Sequence, residues 1–331
     1  MTFRHGIRAL VCAGMAVVLT ALGGGASADS SAAVASRAGP GRGFPSAGPW
    51  ASYYGAAAHL DLTRAAATFR ILDIDADPGA ADFSAAQITQ LRAGGTNRVV
   101  SYFNVGAIEK SRTYWSHVPV GYMAPAANTA AQLGPYQGYP DEMWMNPANA
   151  DWQRVLLDVV APQLVAQGVD GFFFDNLELL THDQTGSAPA CNATCVQGGF
   201  HLISALRARY PKLLFVMQGG TESTTRTGRT GSTTFASLLD GVVHESVYSH
   251  QTGATNVLET DANVVSDLTA WKKAGLRPGG RPFFIGTLDY VNRCTNRRAA
   301  AKTYRASRAA GFSPYASDTS SEQGVLCYWG F

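Results

Sequence analysis

The stretch GVDGFFFDNL, residues 168–177, constrains the fold of this chain more than any other part of the sequence. Three consecutive phenylalanines, Phe172 to Phe174, would place apolar side chains on both faces of a strand, because side chains alternate between the two faces. Such a strand must be covered on both sides, as the strands of parallel sheets are. The run ends abruptly in Asp175 and Asn176. A carboxylate at this end of a buried parallel strand lies where α/β proteins place their chemistry.

Short apolar runs alternate with amphipathic stretches along the rest of the chain. Sustained alternation predicts βα units and a parallel sheet, and about eight units in roughly 280 residues fit a single (β/α)8 TIM barrel. An open doubly wound sheet is the alternative, but the turn after the first predicted strand lacks the glycines of a phosphate-binding loop. The other predicted strands are 69–75, 98–105, a short one at 142–145, 212–218, 241–248, 281–288 and 312–316, and the predicted helices are 83–93, 149–167, 198–210, 235–239, 262–274 and 297–310.

The N-terminal residues have the organisation of a secretory signal peptide. Two arginines precede an apolar run, 9–22, that is too short to span a bilayer comfortably, and a small-x-small cleavage site stands before Asp29. A retained membrane anchor is the alternative. We expect a signal peptide at 1–28, a flexible leader rich in Ser, Ala, Gly and Pro at 29–49, and the folded domain of a secreted protein, without membrane attachment, at 50–331.

Charge and motifs exclude several classes of function. The formal net charge is +2, and it falls to zero without the signal peptide, which carries Arg4 and Arg8 and no acid. With no basic excess, we expect no nucleic-acid partner. The sequence contains no nucleophile elbow, phosphate-binding Gly-x-x-x-x-Gly-Lys loop or His-x-x-x-His pair, so we expect no cofactor and no metal. We expect a monomer.

Four of the five cysteines remain once Cys12 leaves with the signal peptide. An even number in an exported chain favours disulfides. We predict one bond between Cys191 and Cys195, which share a short loop, and a second between Cys294 and Cys327. A zinc site would need two close-spaced pairs or partner histidines, and the second pair is far apart.

Acids and aromatics accumulate at the C-terminal ends of the predicted strands, where barrel enzymes work. Glycoside cleavage requires two carboxyl groups on opposite sides of a pocket, usually with aromatic side chains around them. Some of these residues have structural alternatives: Asp73 or Asp75 could cap a helix, Glu109 could pair with Arg112 on the surface, and the aromatics could simply pack. The predicted substrate-binding residues are Asp73, Asp75, Tyr102, Asn104, Glu109, Trp144, Asn176, Gln218, Asp289 and Tyr290.

Several segments, taken in order, resemble glycoside hydrolase family 114, the endo-α-1,4-polygalactosaminidase type of barrel. Residues 98–115 resemble its second-strand motif, and 168–176 are similar to its Gly-x-Asp-Gly-Phe-x-x-Asp-Asn fourth strand. Residues 243–248 resemble its Glu-containing sixth strand. The segments 287–290 and 311–318 resemble its closing elements, so the resemblance covers about residues 48–331.

The resemblance implies that Asp175 and Glu245 are the catalytic pair, with Asp175 as nucleophile and Glu245 as general acid/base. It also implies an α-1,4-linked, partly N-acetylated polymer of galactosamine as substrate, and a cationic amino-sugar polymer would suit an acidic mouth. The chain departs from the family pattern near 142–145 and in the loop 219–234, which leaves the sugar open. Whether the reaction retains or inverts the linkage also stays open.

Two other functions compete with this one. A secreted carbohydrate-binding barrel without catalysis would explain the aromatics and acids equally well. A metal-dependent polysaccharide deacetylase would need His and Asp ligands at a spacing that the sequence does not contain.

Overall fold

The structure is a computed structural model, and it describes residues 43–44, 48–181, 189–252, 255–274, 283–318 and 323–331. The predicted signal peptide and most of the predicted leader lie outside the described residues. Within the described part of the chain, no helix has the length and apolar character needed to cross a membrane.

Eight parallel strands form one sheet in the order in which they occur along the chain. Each is hydrogen-bonded to the next. The first and last strands meet where the indole N–H of Trp50 donates to the carbonyl oxygen of Ser313 at 2.7 Å. The predicted (β/α)8 barrel is confirmed. Its strands are β1 (Trp50–Tyr53), β2 (Ile71–Ile74), β3 (Arg98–Asn104), β4 (Gly171–Asp175), β5 (Leu214–Gln218), β6 (Gly241–Glu245), β7 (Phe284–Val291) and β8 (Ser313–Asp318).

Two strands differ from the prediction. β1 has only four residues and is preceded by a proline, so it carries no recognisable periodicity. The predicted third strand, 142–145, was wrongly placed in the barrel. It belongs to Tyr139–Met145, which pairs antiparallel with Ala107–Glu109 and Gln132–Tyr136 in a separate sheet between β3 and β4. The two differences cancel in the count, so the phenylalanine strand remains the fourth of eight.

Each predicted helix is present, with ends within five residues of the prediction, and the ends have local causes. Three further short helices, Leu62–Thr68, Thr113–Ser116 and Ser223–Thr227, were not predicted. Ser84 and Gln87 form a capping box at the start of the helix after β2. Pro162 cannot donate to the preceding turn, and the chain widens into a π-helical segment just before it. The helices are Leu62–Thr68, Ala85–Leu91, Thr113–Ser116, Ala150–Val155, which continues through Leu156–Val160 to Ala161–Ala166, Ala193–Arg209, Ser223–Thr227, Phe235–Leu238, Ala262–Ala274 and Arg297–Ala309.

The phenylalanines of β4 lie at the centre of the core. Phe172, Phe173 and Phe174 are all buried, which confirms that the strand is covered on both faces. The Phe172 ring lies 5.2 Å from that of Phe103 on β3, and the Phe174 ring 5.0 Å from that of Phe215 on β5, measured between centroids. The strand that ends at the predicted catalytic aspartate is therefore rigidly packed on both sides.

Both predicted disulfides are present, Cys191–Cys195 and Cys294–Cys327. At the N-terminal edge, Phe44 lies within the predicted leader but is buried, with its ring 5.2 Å from that of Phe284. The packed part of the chain therefore reaches back beyond Trp50.

Candidate functional site

A cleft of about 1080 Å³ opens at the C-terminal ends of the barrel strands. Eight of the residues predicted to form the site line it, from segments far apart in the sequence. These are Asp75, Tyr102, Glu109, Asp175, Asn176, Gln218, Glu245 and Tyr290.

Asp175 ends β4, and the chain turns sharply after it. Asn176 has a left-handed conformation, φ 60° and ψ 25°, which asparagine tolerates better than most residues. Its side-chain amide donates to Asn104 Oδ1 at 2.9 Å, and the same oxygen accepts the backbone N–H of Ala107 at 2.9 Å. A Cβ on Gly106 would lie 1.9 Å from the Asn176 carbonyl oxygen, so only glycine fits. The segment at the end of β3 thus holds the turn that places Asp175 in the cleft.

The surroundings of Asp175 act on its pKa in opposite directions. Burial raises the pKa to about 6. Hydrogen bonds from the backbone N–H of Asn176 and the hydroxyl of Tyr102 favour the carboxylate and limit the rise, while the charge of Glu109 adds to it. The carboxyl group of Asp175 therefore titrates near neutrality.

Glu245 ends β6, two strands along from Asp175, and is also followed by a left-handed residue, Ser246 with φ 55°. The hydroxyl of Tyr290 hydrogen-bonds to Glu245 and itself accepts the side-chain amide of Gln323 at 2.7 Å. Burial, and next the charge of Asp175, raise the pKa of Glu245 to about 7, and the bond from Tyr290 limits the rise. Glu245 therefore holds its proton to a higher pH than Asp175.

A third carboxyl group, that of Glu178, lies in the same part of the cleft. It belongs to the 3₁₀ turn Leu177–Leu180, three residues after Asp175. The hydroxyl of Tyr136 donates to Glu178 Oε1 at 3.3 Å. Burial raises the pKa of Glu178 to about 8, and the charges of Asp175 and Glu245 add to this effect. Its position just beyond the end of a buried parallel strand, where barrel enzymes carry their sites, is the sequence signal that could have identified it.

Arg112 forms ion pairs with three acids on the β2–β3 side of the cleft. Its guanidinium lies 2.7 Å from Asp75, 3.3 Å from Asp77 and 3.1 Å from Glu109. Burial would raise the pKa of Glu109, but the charge and hydrogen bonds of Arg112 outweigh it and hold that pKa below its usual value. Glu109 therefore forms the ion pair with Arg112, but the pair lines the cleft and does not lie on the outer surface.

Two predicted sugar-binding acids lie behind the cleft wall. Asp73 is fully buried and accepts hydrogen bonds from the hydroxyls of Ser52, at 2.9 Å, and Tyr54, at 2.5 Å. Asp289 is also fully buried, and its Oδ1 accepts the backbone N–H groups of residues 248 and 249 at 2.5 and 2.9 Å. Asp73 supports the tyrosine that lines the cleft, and Asp289 anchors the loop that follows Glu245.

The other two predicted residues outside the cleft lining are Asn104 and Trp144. Asn104 holds the turn after Asp175, as described above. Trp144 is 1% exposed, and its ring stacks on that of Tyr136 with centroids 4.1 Å apart. The tyrosine, and not the tryptophan, is therefore the ring that reaches the cleft.

The remaining lining residues come mostly from connections between strands. Periodicity identifies strands and their faces but does not show where a loop side chain points, so the sequence carries no direct signal for most of them. They are Tyr54, Arg112, Tyr136, Tyr139, Glu142, Glu178, Gly219, Gly220, Glu222, His244, Ser246, His250, Gln251 and Gln323.

The cleft is strongly acidic. Among the described residues that line it are seven carboxyl side chains and a single guanidinium, that of Arg112. An excess of one sign in a cleft attracts ligands of the opposite charge. In the described part of the chain, no group of three or more His, Cys, Asp or Glu side chains is arranged to hold a metal ion.

Comparison with known proteins gives a family and a similar fold. The model of glycoside-hydrolase family GH114 matches residues 30–330. The glycoside hydrolase domain of PelA from Pseudomonas aeruginosa is similar in structure, with a TM-score of 0.63 and 17% identity over 85% of this chain and 97% of that one. A single-residue variant of that domain gives a TM-score of 0.62 and 18% identity over the same shares. At such identities the structural likeness shows the fold alone. No curated protein sequence matches the chain.

Proposed function

The chain belongs to glycoside-hydrolase family GH114, and we propose that it cleaves an α-1,4-linked, galactosamine-containing polysaccharide with Asp175 and Glu245 as its carboxylate pair. The observation that carries this proposal is the position of the two acids. They end β4 and β6, two strands apart, and both line the acidic cleft. Paired carboxyl groups across a cleft are what glycoside hydrolysis requires.

The environments of the two groups support a division of roles. Burial raises the pKa of Glu245 to about 7 and that of Asp175 to about 6. The rise is limited at Asp175 because Tyr102 and a backbone N–H donate hydrogen bonds to its carboxylate. Between these values, Asp175 is mostly ionised and Glu245 mostly protonated. Groups whose environments separate their pKa values in this way serve as nucleophile and general acid.

In the retaining form of the reaction, Glu245 gives its proton to the glycosidic oxygen as the bond from that oxygen to C1 breaks, and a carboxylate oxygen of Asp175 bonds to C1. Water then attacks C1 and gives a proton to Glu245, and the bond to Asp175 breaks, which restores both groups. In the inverting form, Asp175 removes a proton from the attacking water instead. A carboxyl separation of about 5–5.5 Å would favour the first form and about 6.5–9.5 Å the second.

The charge of the cleft supports an amino-sugar polymer as substrate. A polymer with free amino groups is a polycation near neutral pH. Seven carboxyl side chains and one guanidinium line the cleft, so the acids outnumber the guanidinium even while Glu178 and Glu245 hold their protons. The rings of Tyr136 and Tyr290 at the cleft add apolar surface of the kind that packs against sugar faces.

Export is the second part of the proposal. It rests on the signal-peptide pattern of residues 1–28. The two disulfides, Cys191–Cys195 and Cys294–Cys327, support it, because such bonds persist mainly in oxidising compartments outside the cytosol. The polysaccharide would then be met outside the cell.

Release of reducing ends from partly deacetylated galactosaminogalactan tests the proposed activity. The protein should release them from this polymer and not from amylose, a neutral α-1,4-linked control. Binding to the aminated polymer without release would contradict the proposal and favour a carbohydrate-binding barrel without catalysis. Release that stops on chelation would favour a metal-dependent enzyme instead.

A further inference from the structure

Gln323 lies beyond β8, in the described segment 323–331, and its side chain lines the cleft although the residue is only 7% exposed. Its backbone has a left-handed conformation, φ 65°, which is unfavourable for a residue other than glycine and persists only where the surroundings hold it. The backbone N–H of Tyr54 donates to its carbonyl oxygen at 3.0 Å. Cys327, in the same segment, is bonded to Cys294, which follows β7. The position of Gln323 is therefore fixed on both sides.

The side-chain amide of Gln323 joins residues on two barrel strands. Its Nε2 donates to the hydroxyl oxygen of Tyr290 on β7 at 2.7 Å, and its Oε1 accepts the hydroxyl of Ser52 on β1 at 3.1 Å. An amide has one donor end and one acceptor end, so these two partners determine its orientation. In the reverse orientation Oε1 would face Tyr290 and would accept the phenolic proton in place of Glu245.

Tyr290 connects Gln323 to Glu245. A phenol donates one proton, and its oxygen accepts from another donor. Because the amide of Gln323 donates to this oxygen, the proton of Tyr290 points to the carboxyl group of Glu245, with which the hydroxyl is hydrogen-bonded. The hydrogen bond that a hydroxyl accepts also polarises it and strengthens the one that it donates. Loss of the Gln323 amide would therefore weaken the bond to Glu245 without removing either of its partners.

The hydroxyl of Ser52 has two acceptors within reach, and the protonation of Asp73 determines which one it serves. Ser52 Oγ lies 2.9 Å from Asp73 Oδ2 and 3.1 Å from Gln323 Oε1. An ionised Asp73 would take this proton and leave Oε1 without a donor. Asp73 is fully buried, and burial, together with the charges of Asp175 and Asp75, raises its pKa well above the usual value. A protonated Asp73 can donate to Ser52, whose own proton then goes to Gln323.

We propose that Gln323 is a positioning residue, which holds the hydroxyl of Tyr290 in the orientation that donates to Glu245, and that Ser52 fixes the amide of Gln323 from the β1 side. Gln323 acts through Tyr290 and does not itself transfer a proton to the substrate. The role of Glu245 as general acid rests on the proposed function. The contribution of Gln323 is to stabilise the ionised form of Glu245, which the acid must adopt once it has given up its proton.

Other titratable groups also act on Glu245. The charge of Asp175 raises its pKa, and the charges of Glu178 and Glu245 act on each other. The ring of His244, the preceding residue on β6, hydrogen-bonds to the backbone carbonyl oxygen of Glu245 at 2.8 Å. A substitution at position 323 changes none of these groups, so a change in the pKa of Glu245 measures the bond from Tyr290.

Carbon-13 NMR of the glutamate carboxyl groups measures this pKa directly, because the chain contains only seven glutamates. The signal that is missing in Glu245→Gln identifies Glu245. Gln323→Met keeps the length of the side chain and removes both ends of the amide, so it should raise the pKa of Glu245 by about 0.3–0.5 unit. Ser52→Ala should raise it in the same direction. Gln90→Met, the same change on an exposed helix, is the matched control and should leave it unchanged.

A double-mutant cycle with Tyr290→Phe distinguishes positioning from a merely structural role. Tyr290→Phe alone should raise the pKa of Glu245 by about 0.5–1 unit, and Gln323→Met added to it should raise it by less than about 0.2 unit more, because the bond is already absent. An unchanged pKa in Gln323→Met, or an equal rise with and without Tyr290, would overturn the role of Gln323. An unchanged pKa in Ser52→Ala would overturn that of Ser52. Absence of hydrolysis in the wild-type protein would overturn the proposed function alone, because these titrations need no turnover.

Discussion

The side-chain amide of Asn176 donates to Asn104 Oδ1 at 2.9 Å, and this bond joins the turn after Asp175 to the end of the neighbouring strand. Asn176 is held in a left-handed conformation that few side chains accept. The position of the predicted nucleophile therefore depends on a pair of residues that have no reactive role themselves.

Asn104→Ala should lower kcat and stability together. It leaves the Asn176 amide and the Ala107 N–H without their acceptor, at a cost of about 1–3 kcal/mol in the free energy of unfolding. We expect kcat to fall about tenfold, because small displacements of a reacting group are costly. Steady-state kinetics and urea unfolding would measure the two effects. Unchanged kcat in the alanine variant would show that the pair does not position Asp175.

Tyr290→Phe should move the alkaline limb of the pH–rate profile to higher pH. The hydroxyl of Tyr290 stabilises the ionised form of Glu245, so its removal raises the pKa of the group predicted to act as the acid. We expect a shift of about 0.5–1 pH unit in the profile of kcat/KM, with the acid limb set by Asp175 nearly unchanged. Tyr122→Phe, at a tyrosine that packs under Arg154, is the control. A shift to lower pH would contradict the role of this bond.

Stability should decrease as the pH rises through neutrality. Burial raises the pKa of Glu178 to about 8 and those of Glu245 and Asp289 to about 7, so each group binds its proton more tightly in the folded state than in the unfolded state. Their contribution is fully present below the unfolded values, near pH 4, and is lost as the pH rises through about 7 to 8.

The Glu178→Gln variant isolates one of these groups. Its Tm should exceed that of the wild-type protein by about 3 °C at about pH 8.5 and should match it at about pH 5. Thermal unfolding at the two pH values would measure the difference, with Asp151→Asn as a surface control. The same Tm difference at both pH values would mean that the buried carboxyl group does not titrate as its surroundings indicate.

The sequence places Asp175 and Glu245 at strand ends because that signal is local: each ends a short apolar run, and the end of a buried parallel strand is where a barrel carries its site. The choice of these two acids as the pair came from the family resemblance. The sequence does not show how far along the barrel axis a side chain lies. Asp73 and Asp75 share a face of the chain by their spacing, but only Asp75, beyond the end of β2, reaches the cleft.

The loop after β5 shows where sequence reasoning stops. Gly219 and Gly220 pack against the turn after β4, and this tertiary contact has no signal in the sequence. Trp144 was expected at the sugar because tryptophan suits that role, yet Tyr136 covers it. The extra antiparallel sheet that carries both rings resembles barrel strands in composition, so the pattern alone could not assign it to a separate sheet.

Hydrolysis by Asp175→Asn and Glu245→Gln, compared with the wild-type protein on partly deacetylated galactosaminogalactan, tests the central claim most directly. Each change keeps the shape of the side chain and removes its ability to attack C1 or to transfer a proton. We predict that release of reducing ends is abolished in both variants while Tm, measured near pH 6, stays nearly unchanged. Full activity in either variant would contradict the assignment of the pair.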